Sequence, residues 1–285
     1  MGRPMASRLA GFGAALTLYD VDGARAQTLA GELGAAAAAD PASLGRSSDI
    51  VVTILPTSAA VEQLLTGPSG LLAGLKSGAL LIEMSSGLPE RSRHFADLLA
   101  KTGVAFIDAP VSGGVQRAKS GELSIMAGGA DADIDRARPI LERMGTTILR
   151  TGGVGSAHAM KALNNMCSAA GLLIVAEALA IGKKAGLDPA TMVDVLNVST
   201  GMNNATQKKL KQFVLSRKFD SGFGLDLMIK DLTIALDIAR NAGAPAPFSA
   251  SCREIWASAA GMLGAGRDHT EIARLVEALA KCEIS

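Results

Sequence analysis

The chain has 285 residues, a length that suggests two domains and supports a sizeable core. Lys and Arg number 28 against 27 Asp and Glu, a formal net charge of +1, so no global field draws nucleic acid or an anionic membrane. Aromatics at 3% also argue against a base-stacking surface, and the low charged share of 19% predicts a partly apolar surface where helices pack on a partner subunit.

Strand-like runs fall at Ala14–Tyr19, Ile50–Leu55, Ala79–Glu83, Val104–Ile107, Leu123–Ala127 and Thr147–Leu149. Helix-length segments Gly23–Leu33, Ser58–Leu65 and Pro89–Lys101 lie between the early ones. Gly34–Ala39 is alanine-rich and reads as a surface turn. Alternating strand and helix predicts a parallel sheet covered by helices on both faces, and the nearly all-apolar runs fit strands buried on both sides.

After Gly152-Gly153-Val154-Gly155 the strand signal ends. Ser156–Ala185 reads as one helix, about 45 Å long at helical rise. Its apolar run raises a membrane question. Asn164, Asn165 and Glu177 within it, with Lys183 and Lys184 following, favour a helix buried in a soluble fold. Gly186 stops it, and Asp188-Pro189 opens the next helix as cap and first residue. Further helices are predicted over Lys208–Val214, Gly224–Ala242, Ser249–Ala260 and Thr270–Ala280. The expected architecture is therefore an α/β dinucleotide-binding domain over 1–153 and an all-α domain over 154–285.

Cys167, Cys252 and Cys282 are widely spaced, with no CxxC pair and no Cys/His cluster of metal-binding spacing, so no metal is expected. The odd number of thiols and the lack of a secretion signal fit a reducing, cytoplasmic location.

A dinucleotide fingerprint joins a strand, a glycine turn and a helix to an acidic residue ending the second strand. Asp20 stands at such a strand end. It could accept hydrogen bonds from both ribose hydroxyls of NAD and would repel the 2′-phosphate of NADP; alternatively it only caps the turn with Asp22 and Gly23. Leu55-Pro56 and Ser85-Ser86 end two further strands, and three such ends would line one crevice.

Ser112-Gly113-Gly114 offers backbone N–H groups that a carboxylate could approach closely. Lys161 and Asn165 are four apart, on one helix face. Burial and the positive helix end would both lower the pKa of Lys161 toward a useful range. His158, three residues earlier, is expected on the helix surface with no role.

Three segments stand together in order: Asp108-Ala109-Pro110-Val111-Ser112-Gly113-Gly114, Gly153 to Asn165, which reads GxGxxxxxKxxNN, and Lys230-Asp231-Leu232. With them the whole chain resembles the β-hydroxyacid dehydrogenases, the family of 3-hydroxyisobutyrate dehydrogenase. The resemblance implies a Rossmann-type first domain, a helical substrate and dimerisation domain, and hydride transfer between NAD and a small β-hydroxy acid. By that resemblance Lys161 is the general acid/base and Asn165 holds the reacting oxygen and the lysine. Ser112, Gly113 and Gly114 grip the substrate carboxylate. Met1, Gly2, Leu55, Pro56, Ser86 and Lys230 join Asp20 in serving the cofactor, and the assembly is a homodimer or homotetramer.

The chain departs from the family's pattern at its start. Of the glycines in the GxGxMG turn only Gly2 is present, and Met1 matches the turn's methionine. A first strand beside Ala14–Tyr19 is therefore expected to be missing from this sequence. Ala60 stands where some relatives carry an asparagine, so one cofactor contact is expected to be absent. Two other readings remain: reduction of a small aldehyde acid such as tartronate semialdehyde, and a non-catalytic nucleotide-binding relative. Imine reduction is disfavoured by the presence of Lys161. Met202, Asn203 and Asn204 would make Thr200–Thr206 either a specificity loop for a polar substrate tail or a plain turn between helices.

Overall fold

A computed structural model describes residues 1–285. The chain divides into two compact units, Met1–Lys161 and Ala162–Ser285. The first unit contains α1 (Gly2–Leu9), β1 (Thr17–Leu18), α2 (Gly23–Leu33), β2 (Ala36–Ala37), α3 (Pro41–Ser47), β3 (Ile50–Thr53), α4 (Ser58–Thr66) and β4 (Leu80–Glu83). It continues through α5 (Pro89–Ala100), β5 (Ala105–Asp108), β6 (Val111–Ser112), α6 (Gly114–Ser120), β7 (Leu123–Gly128), α7 (Asp131–Met144) and β8 (Gly145–Gly152) to the start of α8 (Ser156–Lys184).

Local chemistry sets many of these boundaries. Asp22 accepts from the Arg25 N–H to start α2, and Gly34 ends it at φ 62°, a left-handed conformation that favours glycine. Asp40 and Ser43 form a reciprocal capping box at α3, followed by Pro41 in the first turn. In β4, Leu80 and Ile82 pack with Ile107, Leu123, Ile125 and the α7 residues Ile134 and Leu141. Leu81 points to the opposite face, with Val61 and Leu65 of α4 and Phe95 and Leu99 of α5. The period-two alternation of a strand thus separates two apolar layers.

The main sheet has six strands in the order β3-β4-β5-β7-β6, with β8 also paired to β7. β3, β4 and β5 run parallel, with Thr53, Glu83 and Asp108 in register. β7 is antiparallel to β5 and β6 and parallel to β8. The sheet is thus mixed, which corrects the all-parallel expectation. The short α6 connection from β6 to β7 is less than the dozen or more residues a parallel crossover requires.

β1 and β2 form a separate parallel pair, Thr17 with Ala36 and Leu18 with Ala37, and the two sheets share no hydrogen-bonded strand pair. Ala36 and Ala37 thus make a strand where a surface turn is expected. Alanine carries no β-propensity signal, and the pairing is imposed by the return of the chain from α2.

The second unit holds the rest of α8, then α9 (Pro189–Asn197), α10 (Asn204–Lys208), α11 (Leu225–Asn241), α12 (Pro247–Leu263) and α13 (Ile272–Ala280), and no strand. The stretch predicted as a helix over Lys208–Val214 is the end of α10 and a π-helical turn, Leu210–Leu215. The core surrounds fully buried Trp256 and includes Leu172, Leu179, Leu210, Leu232 and Ile272. α8 has 29 residues and is long and apolar enough to cross a membrane, but half of its most apolar stretch is buried within this fold.

Candidate functional site

Because β3, β4 and β5 are parallel and in register, their carboxyl ends lie along one edge of the sheet. In open α/β sheets that edge is where ligands bind. Leu55-Pro56 follows β3 and Ser85-Ser86 follows β4. The structure joins these turns: the Leu55 N–H donates to Ser85 Oγ at 2.8 Å. Gly2 meets the same region, since a β-carbon placed there would lie 3.2 Å from Ile54 Cγ2. Met1 caps α1 without any side-chain hydrogen bond to the first turn. Asp20 follows β1 and is partly exposed; its Oδ1 accepts from the Asp22 N–H at 2.9 Å, and its Oδ2 lies 3.7 Å from the Arg25 guanidinium. Asp20 therefore does shape its own turn. An N-terminal helical turn without a side-chain cap and a carboxylate at a strand end are donors and acceptors suited to a dinucleotide's phosphates and ribose, so these residues fit that group.

Ser112 ends β6, paired with Ser124. Gly113 and Gly114 follow at φ 133° and 70°, where side chains are strained. A β-carbon at Gly113 would also lie 2.7 Å from Arg117 Cδ. Gly113 is exposed and Ser112 and Gly114 partly so, leaving this backbone approachable.

Lys161 lies in the second turn of α8 and is buried, with 8% of its surface exposed. His158, expected on the helix surface, is buried as well, at 2%. Its Nε2 is 2.9 Å from Glu83 Oε2 and 2.9 Å from the Ser85 carbonyl oxygen, and its Nδ1 is 2.6 Å from Ser92 Oγ. Asp108 accepts from the Gly155 N–H at 2.7 Å and the His158 N–H at 2.9 Å, capping α8 from the end of β5. The side-chain positions i and i+3 share a helix face, so the turn that carries Lys161 is the one tied to the sheet.

Burial opposes charge on all three groups. For His158 it is outweighed by the hydrogen bond and charge of Glu83 and the charge of Asp108, so its pKa rises above the ordinary 6.5. For Glu83 burial is likewise outweighed, here by the imidazolium and the Ser85 donors, and its carboxyl falls below 4.5. For Asp108 burial prevails over His158 and the backbone donors, and its carboxyl rises above 3.8.

In the second unit Asn165 is buried and donates from Nδ2 to Asp231 Oδ2 at 2.6 Å. Lys230 Nζ stands 3.5 Å from Asp231 Oδ1. The structure thus brings the last asparagine of the α8 motif together with the Lys230-Asp231 pair of α11. Asn203 is a helix cap, accepting from the Ala205 and Thr206 N–H groups and donating to the Gly171 carbonyl at 3.3 Å, so its amide is engaged in the turn itself.

Residues 1–153 match the family described as the NAD binding domain of 6-phosphogluconate dehydrogenase. Residues 155–276 match the NAD-binding domain of NADP-dependent 3-hydroxyisobutyrate dehydrogenase. The 3-hydroxyisobutyrate dehydrogenase of Pseudomonas aeruginosa is 37% identical over 262 residues, 90% of this chain and 88% of that one. The chain belongs to the β-hydroxyacid dehydrogenase family. Another relative is the 2-(hydroxymethyl)glutarate dehydrogenase of Eubacterium barkeri, 34% identical over 94% of this chain and 88% of its own. The Mycobacterium tuberculosis 3-hydroxyisobutyrate dehydrogenase solved with L-serine superimposes with a TM-score of 0.88, at 31% identity, over 96% of this chain and 94% of that one.

As a β-hydroxyacid dehydrogenase the chain is a nicotinamide-dependent oxidoreductase acting on the CH–OH group of hydroxy acids. The group missed in the sequence is the Glu83–Asp108–His158 cluster. Its signal was a glutamate closing an otherwise apolar strand, Leu80-Leu81-Ile82-Glu83, and a histidine one turn before the buried lysine. Burial of the strand on both faces turns that glutamate from an end-of-strand charge into one that requires a partner.

Proposed function

We propose that this β-hydroxyacid dehydrogenase oxidises a small β-hydroxy carboxylic acid of the 3-hydroxyisobutyrate type, with Lys161 as its general acid/base. The carrying observation is a buried lysine one turn beyond a histidine that is itself bonded to the sheet edge. A buried ammonium is costly unless it is used or compensated. NAD, when bound, accepts hydride from the substrate's hydroxyl-bearing carbon.

Lys161 takes the hydroxyl proton as that carbon is oxidised; in the reverse direction its ammonium protonates the developing alkoxide and stabilises the charge. Asn165, one turn further along the same helix, orients the reacting oxygen. The N–H groups at Gly113 and Gly114, with the Ser112 hydroxyl, receive the carboxylate. Met1, Gly2, Asp20, Leu55, Pro56 and Ser86 would hold the cofactor. Reduction of a small aldehyde acid uses the same groups and is the second direction of one reaction.

Asp20 favours NAD; the Arg25 guanidinium 3.7 Å away is the observation that favours NADP. Comparing kcat/KM for the two cofactors decides between them. The family's homo-oligomeric habit is proposed here too, supported by exposed Ile174, Ile181, Phe248 and Met262 in the helical unit, and light scattering showing a monomer would exclude it. A cytoplasmic location is supported by three free thiols.

The test of the reaction is a panel of β-hydroxy acids assayed with Lys161→Met beside the native enzyme. Turnover should fall by about two to four decades, with cofactor affinity nearly unchanged. Native turnover in a folded Lys161→Met protein removes the assignment.

A further inference from the structure

Glu83, Asp108 and His158 place two carboxylates and an imidazole out of water, and none of them has a part in the chemistry above. Nε2 of His158 meets the Glu83 carboxylate and the Ser85 carbonyl. Nδ1 meets the Ser92 hydroxyl, which can donate to it or accept from it, and lies 3.8 Å from Asp108 Oδ2. Two carboxylates within 4 Å of one ring favour its charged form. Gly87 leaves the ring its space: a β-carbon there would lie 3.1 Å from His158 Cε1.

The cluster continues toward the cofactor turns. Glu83 Oε1 accepts from the Ser85 N–H at 2.9 Å, and Ser85 Oγ accepts from the Leu55 N–H. A continuous chain of bonds thus runs from His158 through Glu83 and Ser85 to Leu55. At its other end, the backbone of His158 is held by Asp108, and Lys161 follows one turn later. We propose that His158 and Glu83 are positioning residues, their ion pair setting the helix turn that bears Lys161 in register with the Leu55 and Ser85-Ser86 turns. The proposal rests on Lys161 being the acid/base and on those turns serving the cofactor.

The charged groups around the ring are Glu83 from β4 and Asp108 from β5; α5 presents Ser92, with the Arg93 guanidinium against Gly155. The raised pKa of His158 keeps the clamp charged past the ordinary 6.5 and releases it as pH rises through the folded-state value.

The test starts on the native enzyme. Ring nitrogen NMR of the three histidines, assigned with His94→Gln and His269→Gln, should show His158 keeping both ring protons above the ordinary imidazole value of 6.5, and native kcat should fall on the alkaline side at the midpoint of its titration. His158→Gln and Glu83→Gln should each lower kcat by about tenfold to a hundredfold, the cost of a misplaced reacting group, with KM for NAD within about threefold. The double variant should be no slower than the slower single one, and Glu83→Asp should recover part of the loss. A His158 that loses a ring proton at or below 6.5, midpoints that do not coincide, or native kcat in either folded variant overturns the proposal. Native turnover in Lys161→Met would instead remove the acid/base reading while leaving the protonated histidine in place.

Discussion

Each unit of this protein buries one histidine beside an aspartate or glutamate, and their surroundings push the two histidines' pKa values in opposite directions. His158 is 2% exposed and His269 3%. The pKa of His158 is raised, and that of His269 is lowered. Burial is equal, so the neighbours decide. Glu83 gives one oxygen to the His158 ring. Asp268 lies 3.5 Å from His269 Nδ1, but its oxygens are occupied by the Ser221 hydroxyl, the Gly222 N–H and the Thr270 N–H and hydroxyl. His269 is left between Phe223 and Trp256, its ring stacked on the indole at 6.5 Å, and desolvation keeps it neutral. A buried histidine is an ion-pair partner in one unit and an aromatic filler in the other.

The sharpest way to break this comparison is to empty each site. His158→Ala leaves Glu83 and Asp108 buried without their cation, and removing one partner of a buried pair costs about 3–5 kcal/mol. Chemical denaturation should show a loss of that order. A loss below about 1 kcal/mol would mean that the pair is not charged in the folded state.

Asp268→Ala should cost less, about 1–2 kcal/mol. It removes a cap and orphans the Gly222 and Thr270 N–H groups, but it breaks no full ion pair. Trp256 is the sole tryptophan and lies in the same unit, so its emission reports this loss directly. Hydrogen bonds from His269 and Thr270 hold the Asp268 carboxyl well below the ordinary 3.8 despite burial. A depressed carboxyl stabilises above its unfolded value, so the native protein should keep this contribution down to about pH 4 and lose it only in stronger acid.

The difference between the two sites also marks what was legible in the sequence. Lys161, Asn165, Ser112 to Gly114 and the turns at Leu55 and Ser86 stand out in the sequence as candidates because their segments form ordered motifs, and the helices α2, α4, α5 and α8 are legible because caps and apolar periodicity agree. His158 was placed on the surface because a histidine three residues from a lysine carries no sign of which way it faces. Only the packing of the first α8 turn on β4 and β5 decides it. The antiparallel β7 and the Ala36–Ala37 strand were illegible for a related reason: their pairing is set by where the chain returns, and not by residue type. Asn203 shows the reverse case, an amide that suggested a substrate contact and is engaged as a helix cap.

The smallest expected effect, and the most direct check on the opposite shifts, is the pH dependence of stability around neutrality. His158 is protonated more readily folded than unfolded. Its contribution is complete below the unfolded value of 6.5 and declines as pH rises through its folded value. His269 is protonated less readily folded than unfolded. Its contribution is complete above 6.5 and declines as pH falls below it. Glu83, with its carboxyl depressed, adds nothing to either slope near neutrality, since its contribution changes only below 4.5. His158→Gln should therefore flatten the native protein's loss of stability above pH 6.5, and His269→Gln its loss below. Trp256 emission should not titrate at the ordinary 6.5 in the folded protein, because the ring stacked on it gains its charge only at lower pH. If both substitutions flatten the same limb, or if Trp256 emission titrates near 6.5, the two shifts are not opposed and the contrast between the units fails.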